Sequence, residues 1–185
     1  PFIYICYDNE GYMNTGIQKS GTTPYGATTT TTPYGTVHKG KNLRRVNLAL
    51  KMLMHKVPYV ATATLSNLED LAEKLLKAKE ANSRGFAFLN VFAPCPTGWG
   101  SAPNLTVEIC RRAVKTNYFP LWEAENGKVS FTKTVKKPKA VSSYTELIRK
   151  FTHLSETDLK ILQDDVDYEY SLLEGLSKVE AECRL

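Results

Sequence analysis

Three short, β-prone apolar runs set at helix-length intervals constrain this chain more than any other feature. Residues 2–7 (Phe-Ile-Tyr-Ile-Cys-Tyr) are continuously apolar, as a strand buried in a parallel sheet is. Tyr59 to Leu65 is a β-branched second run, and Gly85 to Phe92 is a third. Between the first two, Leu43 to Lys56 is apolar on nearly all sides and reads as a buried helix. Between the second and third, Ser66-Asn67-Leu68-Glu69 has the form of a capping box. Leu68, Leu71, Ala72, Leu75 and Leu76 follow at helical spacing with one face inward. Strand, helix, strand, helix, strand predicts an α/β fold with a mainly parallel sheet flanked by helices. Ligands of such sheets bind beyond the carboxyl ends of the strands, which singles out Asp8 to Gly16 and Ala93 to Gly100.

Further along, Asn104 reads as the cap of a helix running to about Lys115. Phe119 to Thr132, with Asn126-Gly127 at its centre, reads as a β-hairpin. Ser143 with Glu146 marks a short capped helix. Leu154, Ser155 and Leu159 fit a hydrophobic staple opening the last helical region. Residues 14–41, rich in Thr, Gly and Tyr, form too long a stretch for an ordinary connection, and long ordered loops tend to carry function.

With 42% hydrophobic and 23% charged residues, the chain has the composition of one globular domain with a real core. No apolar run approaches the ~18 residues that span a bilayer, so no membrane role is expected. The net charge of +5 is mild. Its densest basic group, Lys133 to Lys139, reads either as a solvated turn or as a docking surface for an acidic protein. Nucleic acid is not expected as a partner, because no aromatic residues interleave with the basic ones. The four cysteines, Cys6, Cys95, Cys110 and Cys183, form no C-x-x-C pair and no disulfide framework, so a reducing, cytoplasmic setting is expected. His38, His55 and His153 lack metal spacing and read as surface or loop residues. Asn104-Leu105-Thr106 is a chance-level sequon. The chain opens at Pro1 inside an apolar run without a signal-peptide pattern, so an N-terminal portion is expected to be missing or to sit on another chain.

Asp8-Asn9-Glu10-Gly11-Tyr12-Met13-Asn14-Thr15-Gly16 crowds carboxylates, carboxamides and glycines at a strand end. Oxygen donors of this kind suit a hard cation such as Mg²⁺, and the plain alternative is an Asn/Gly turn. In Phe92-Ala93-Pro94-Cys95-Pro96-Thr97-Gly98-Trp99-Gly100, a lone cysteine stands just past a buried strand between two prolines. Read alone, such a thiol is either inert packing or a metal ligand.

The run Y-D-N-E-G-Y-M-N-T-G-I-Q-K-S-G, with T-P-Y-G-A-T-T-T-T-T-P after it, resembles the second half of the thiamin-diphosphate motif of pyruvate:ferredoxin oxidoreductases and their relatives. The A-P-C-P-x-G-W element resembles the one that supplies a [4Fe–4S] ligand in the same family. The resemblance implies Asn9 as a side-chain Mg²⁺ ligand and Gly11 as a backbone-carbonyl ligand. It puts Asn14 by the substrate and the thiazolium, Thr15 and Gly16 by the diphosphate, and Asp8 and Glu10 in support. It makes Cys95 a cluster ligand and leaves Cys6, Cys110 and Cys183 structural. It divides the chain into residues 1–125, the C-terminal part of a thiamin-diphosphate-binding domain, and residues 126–185, the hairpin end and a helical extension. The implied reaction is oxidative decarboxylation of a 2-oxoacid, pyruvate by default, to an acyl-coenzyme A. Electrons would pass through iron–sulfur clusters to ferredoxin, and partner subunits would complete the site. The family's Gly-Asp-Gly triplet is absent here, so the first Mg²⁺ ligand is expected elsewhere. Two other readings are a non-redox thiamin enzyme, which needs no cluster cysteine, and a non-catalytic α/β module.

Overall fold

The computed structural model describes residues 1–37 and 39–179, so His38 and Cys183 lie outside the described residues. The expected strands form one five-stranded sheet: β1 (Ile3–Asp8), β2 (Tyr59–Thr64), β3 (Ala87–Phe92), β4 (Leu121–Glu125) and β5 (Lys128–Lys133), in the order β1-β3-β2-β4-β5. β1, β3 and β2 run parallel and in step, with Ile3 beside Ala87 and Ala87 beside Tyr59. β2 and β3 are buried along their whole length, including the polar Thr62, Thr64 and Asn90. β4 and β5 are antiparallel, so the sheet is mixed. Their turn uses Asn126 and Gly127, both at positive φ (50° and 86°), which matches the twist of the flanking strands. The register that matters most is at the carboxyl ends. Asp8 pairs with Phe92, and the Ala93 N–H donates to the Asp8 carbonyl at 3.0 Å, so both chemical segments leave the sheet side by side.

The helices are α1 (Leu48–Met54), α2 (Leu68–Ala81), α3 (Pro96–Trp99), α4 (Thr106–Lys115), α5 (Ser142–Thr145) and α6 (Glu156–Ser177). The first helix is shorter than its apolar run. Residues 43–46 stay out of it because the Val46 N–H bonds the Gly21 carbonyl and the Arg45 guanidinium is held by Glu169 and the Tyr118 carbonyl. Asn47 caps it instead, and only Ala49 and Leu53 are buried. The Ser66 box does not form. Asn67 is the cap residue, without a side-chain bond, and the Ser66 hydroxyl is taken by Thr64 and Asn67. Leu68 and Leu76 are exposed, and α2 buries Lys74, Ala78 and Ala81 against a strand surface of Ala61, Ala63 and Ala87. Asn104 sits in a 3₁₀ turn, Pro103–Leu105, and does not cap α4. Val141 precedes α5, and the Ser143 hydroxyl bonds the Ala140 carbonyl, so the Ser143–Glu146 cap is absent too. At α6, Ser155 and Asp158 make a reciprocal capping box.

One core cluster joins Phe92 and Trp99 to Tyr118, Tyr144, Ile148, Phe151, Leu162 and Val166, so the helical tail packs on the carboxyl end of the sheet. Lys74 is 1% exposed, yet its ammonium meets the Thr62 carbonyl (2.8 Å), Asp70 (2.7 Å) and the Thr132 hydroxyl (2.8 Å). Lys74→Met orphans these oxygens and is expected to cost about 1–3 kcal/mol in a denaturation experiment.

β1 is an edge strand with Phe2, Tyr4, Ile5 and Tyr7 exposed. Phe2 and Tyr4 stack on Phe86 and Phe88, with centroids 5.3 and 5.7 Å apart. An apolar open edge invites pairing with other chains. No described helix is long and apolar enough to cross a membrane.

Candidate functional site

The first segment leaves β1 as a buried polar turn. Asp8 is 7% exposed; its carboxylate accepts from the Asn90 amide at 3.1 Å and from the Glu10 N–H at 3.2 Å. Burial pushes its pKa up, the Glu10 charge adds to this, and the Asn90 bond opposes it. Glu10 holds a left-handed conformation (φ 62°) that turns its side chain inward, where it is 2% exposed. One carboxylate oxygen accepts from the Tyr118 hydroxyl, the other meets the Lys150 ammonium at 2.5 Å, and the Glu10 carbonyl accepts from the Thr23 hydroxyl at 2.6 Å. Glu10 is thus an anchor beneath the turn.

Asn9 lies between the two carboxylates in sequence. Its carbonyl accepts from the Trp99 indole N–H at 2.8 Å, while its carboxamide has no hydrogen-bond partner among the described residues. Asp8, Asn9 and Gly11 line one cavity of 440 Å³ together with Ser20, Thr22 and Lys51. The structure does not bring Asn14, Thr15 and Gly16 onto that wall. They form the exposed tip of the Tyr12–Gln18 loop, whose ends pair through two backbone bonds. The Thr15 hydroxyl donates to the Gln18 side chain at 2.6 Å, and the Gly16 carbonyl accepts from the Thr30 hydroxyl at 2.7 Å.

The second segment leaves β3 beside it. Cys95, half-buried, caps the four-residue α3, and its sulfur accepts from the Gly98 N–H at 3.4 Å. A Cβ on Gly98 would lie 2.3 Å from the Met13 sulfur and 3.3 Å from the Cys95 sulfur, so the Met13 side chain packs directly on this glycine and joins the two segments. Trp99 is fully buried against Phe92, and the Lys150 ammonium lies 3.6 Å above its ring.

The other singled-out residues stand apart. Cys110 is buried, its thiol donates weakly to the Phe92 carbonyl at 3.8 Å, and burial pushes its pKa up to about 11. Burial, then Asp8, raises the Cys6 thiol. His55 is exposed at the end of α1, and His153 packs on Tyr34 at 4.6 Å. Among the described residues no group of three or more His, Cys, Asp or Glu side chains could hold a metal ion.

Lys150, Tyr118 and Asn90 were not among the expected site residues. Nor was Trp99, which stood only inside a quoted motif with no role attached. Nothing in a lone lysine of a charged tail distinguishes it, whereas the Gly98-Trp99 pair carried a usable signal, a glycine for close approach and an aromatic with one donor.

The donors at the strand end are hard oxygens, suited to a cation that also takes phosphate oxygens, and the Asn9 carboxamide has no other engagement among the described residues. Such a donor set suits Mg²⁺ held together with a diphosphate. Residues 1–91 match the family model described as thiamine pyrophosphate enzyme, C-terminal TPP binding domain. Pyruvate synthase subunit PorB of Methanothermobacter thermautotrophicus is 47% identical over 89% of this chain and 57% of its own length. Ketoisovalerate oxidoreductase subunit VorB of Pyrococcus abyssi is 42% identical over 96% of this chain and 57% of its own. The beta subunit of NADH-dependent phenylglyoxylate dehydrogenase of Aromatoleum evansii is 42% identical over 95% of this chain and 40% of its own. The chain belongs to the family of thiamin-diphosphate-binding beta subunits of 2-oxoacid:ferredoxin oxidoreductases, and it spans a little over half the length of the first two relatives.

Proposed function

We propose that this chain is part of a 2-oxoacid:ferredoxin oxidoreductase, holding one side of the thiamin diphosphate site and one ligand of the nearest [4Fe–4S] cluster. The observation that carries this is the 2.8 Å bond from the Trp99 indole to the Asn9 carbonyl, which joins two motif segments 90 residues apart. A cofactor side and a redox side in direct contact suit an enzyme that removes electrons from the group it decarboxylates. Thiamin diphosphate, held at this site, would supply a nucleophilic carbon and a sink for the electron pair released on decarboxylation of a 2-oxoacid.

The chain's own residues hold and orient. Asn9 and the Gly11 carbonyl would bind Mg²⁺ and so fix the diphosphate. Asp8 and Glu10 keep that turn in shape from below, through Asn90, Tyr118 and Lys150. Asn14 would hydrogen-bond the substrate, and Thr15 and Gly16 would lie by the diphosphate; here all three stand at the exposed tip of the Tyr12–Gln18 loop. Cys95 would bind the cluster, its sulfur steadied by the Gly98 N–H. The remaining cluster cysteines, the first Mg²⁺ ligand and the coenzyme A site would come from elsewhere in a cytoplasmic multi-subunit enzyme. The exposed Lys136, Lys137 and Lys139 offer a basic face to ferredoxin. Pyruvate is the proposed substrate. The relatives are named for three different 2-oxoacids.

Calorimetric titration of the thiamin-depleted complex with thiamin diphosphate and Mg²⁺ tests the Mg²⁺ site. Asn9→Ala is expected to weaken binding by about 10–100-fold. Unaltered affinity would remove Asn9 from the metal.

A further inference from the structure

We propose that Lys150 is the positioning residue of the combined site: its buried ammonium clamps the Asp8–Gly16 segment against the Cys95 helix and sets the electrostatic environment of the Cys95 sulfur. The proposal rests on the functional reading above. Lys150 comes from the 3₁₀ turn Arg149–Phe151, in the helical tail. Its side chain is 5% exposed and that of Glu10 is 1% exposed, with 2.5 Å between ammonium and carboxylate. The same ammonium sits 3.6 Å over Trp99, whose indole holds Asn9. The Lys150 carbonyl accepts from the Thr28 N–H at 3.1 Å, which ties in the Thr-rich loop as well. Next to it, a Cβ on Gly100 would lie 2.7 Å from the Arg149 Cβ, so the turn rests directly on the end of α3. One lysine therefore touches the cofactor segment, the cysteine helix and the long loop.

Its partners differ from those of the other buried lysine. Lys74 has three oxygens around it, a complete set for an ammonium. Lys150 has a single hydrogen-bonding oxygen partner, the Glu10 carboxylate, and two ring faces, Trp99 at 3.6 Å and Phe151 at 5.1 Å. A buried ion pair is weak evidence for stability, since an apolar pair of equal volume would avoid the desolvation cost. An incompletely surrounded cation is, however, a source of positive potential for its neighbours in a poorly polarisable interior. Burial depresses the Lys150 pKa, and the adjacent Glu10 carboxylate opposes this. A positive charge in this place stabilises the reduced, more negative form of a redox group bound by Cys95.

The test uses the native complex that contains this chain, purified anaerobically. It compares the reduction midpoint of the Cys95-bound cluster, followed by electron paramagnetic resonance, with thiamin diphosphate affinity and thermal stability. Lys150→Met should lower the midpoint and weaken thiamin diphosphate binding about tenfold or more. Lys150→Arg should restore the midpoint. Glu10→Gln, which keeps the ammonium and removes its counter-charge, should raise it. Lys74→Met, destabilised for a purely structural reason, should move neither midpoint nor affinity. If Lys150→Met and Glu10→Gln shift the midpoint in the same direction, or if both leave midpoint and affinity at wild-type values, the proposal is overturned. If Cys95→Ala keeps all its iron, the cluster assignment fails and takes the electrostatic half with it. In that case the thiamin affinity of Lys150→Met alone decides the clamp.

Discussion

Trp99→Ala is expected to destabilise the protein by about 3–5 kcal/mol, the cost of emptying a fully packed aromatic site. The loss has three separable parts. Trp99 is completely buried and packs on Phe92 at a centroid distance of 5.5 Å, so a cavity opens in the cluster that joins sheet and tail. The Asn9 carbonyl loses its donor, and Lys150 loses the ring beneath its ammonium. Trp99→Phe separates these contributions. It keeps most of the volume and a ring face for Lys150, so about 1–2 kcal/mol is expected from the missing indole N–H and residual space. Chemical denaturation followed by circular dichroism reads both values. A Trp99→Phe loss as large as that of Trp99→Ala would mean that the hydrogen bond, not packing, carries the joint.

Glu10→Ala should be about as costly, at about 3–5 kcal/mol, because it strands a buried charge rather than merely removing a contact. Lys150 would keep its ammonium at 5% exposure with no carboxylate, and the Tyr118 hydroxyl would lose its acceptor. The left-handed backbone at Glu10 stays strained in the alanine variant, so no backbone relief offsets the loss. A double-mutant cycle makes the prediction specific. Adding Lys150→Met to Glu10→Ala should return about half or more of the stability, since the stranded charge is gone. If the two losses simply add, the pair is not coupled and the buried ion pair is not what holds this turn.

The central sheet was legible because fully buried parallel strands leave unbroken apolar runs, and Asn126-Gly127 announces a two-residue turn with positive φ at both positions. Helix starts were not legible. Ser66, Asn104 and Ser143 are cap-type residues whose neighbours claimed them first, as the Thr64 hydroxyl claims Ser66. The inward face of α2 was partly legible: Leu71 and Leu75 pack on the core, whereas Leu68 and Leu76 are exposed and the alanine-lined strand surface takes Ala78, Ala81 and Lys74 instead. At the site, residue type and order singled out Asp8 to Gly16 and Cys95 as unusual, and only the family resemblance attached roles to them. That the two segments abut follows from the parallel register of β1 and β3, which places Asp8 beside Phe92. The reach of Lys150 into that junction was not legible, because it depends on how the tail folds back over α3.

The most direct test of the whole account counts thiamin diphosphate, iron and acid-labile sulfide per copy of this chain in the native complex, for the wild type and for Cys95→Ala. The expected result is about one thiamin diphosphate and at least about four irons in the wild type, with one cluster's iron lost from Cys95→Ala while thiamin diphosphate is retained. Thiamin diphosphate without iron, or an iron content that Cys95→Ala leaves unchanged, would contradict it and return Cys95 to the role of a packed thiol.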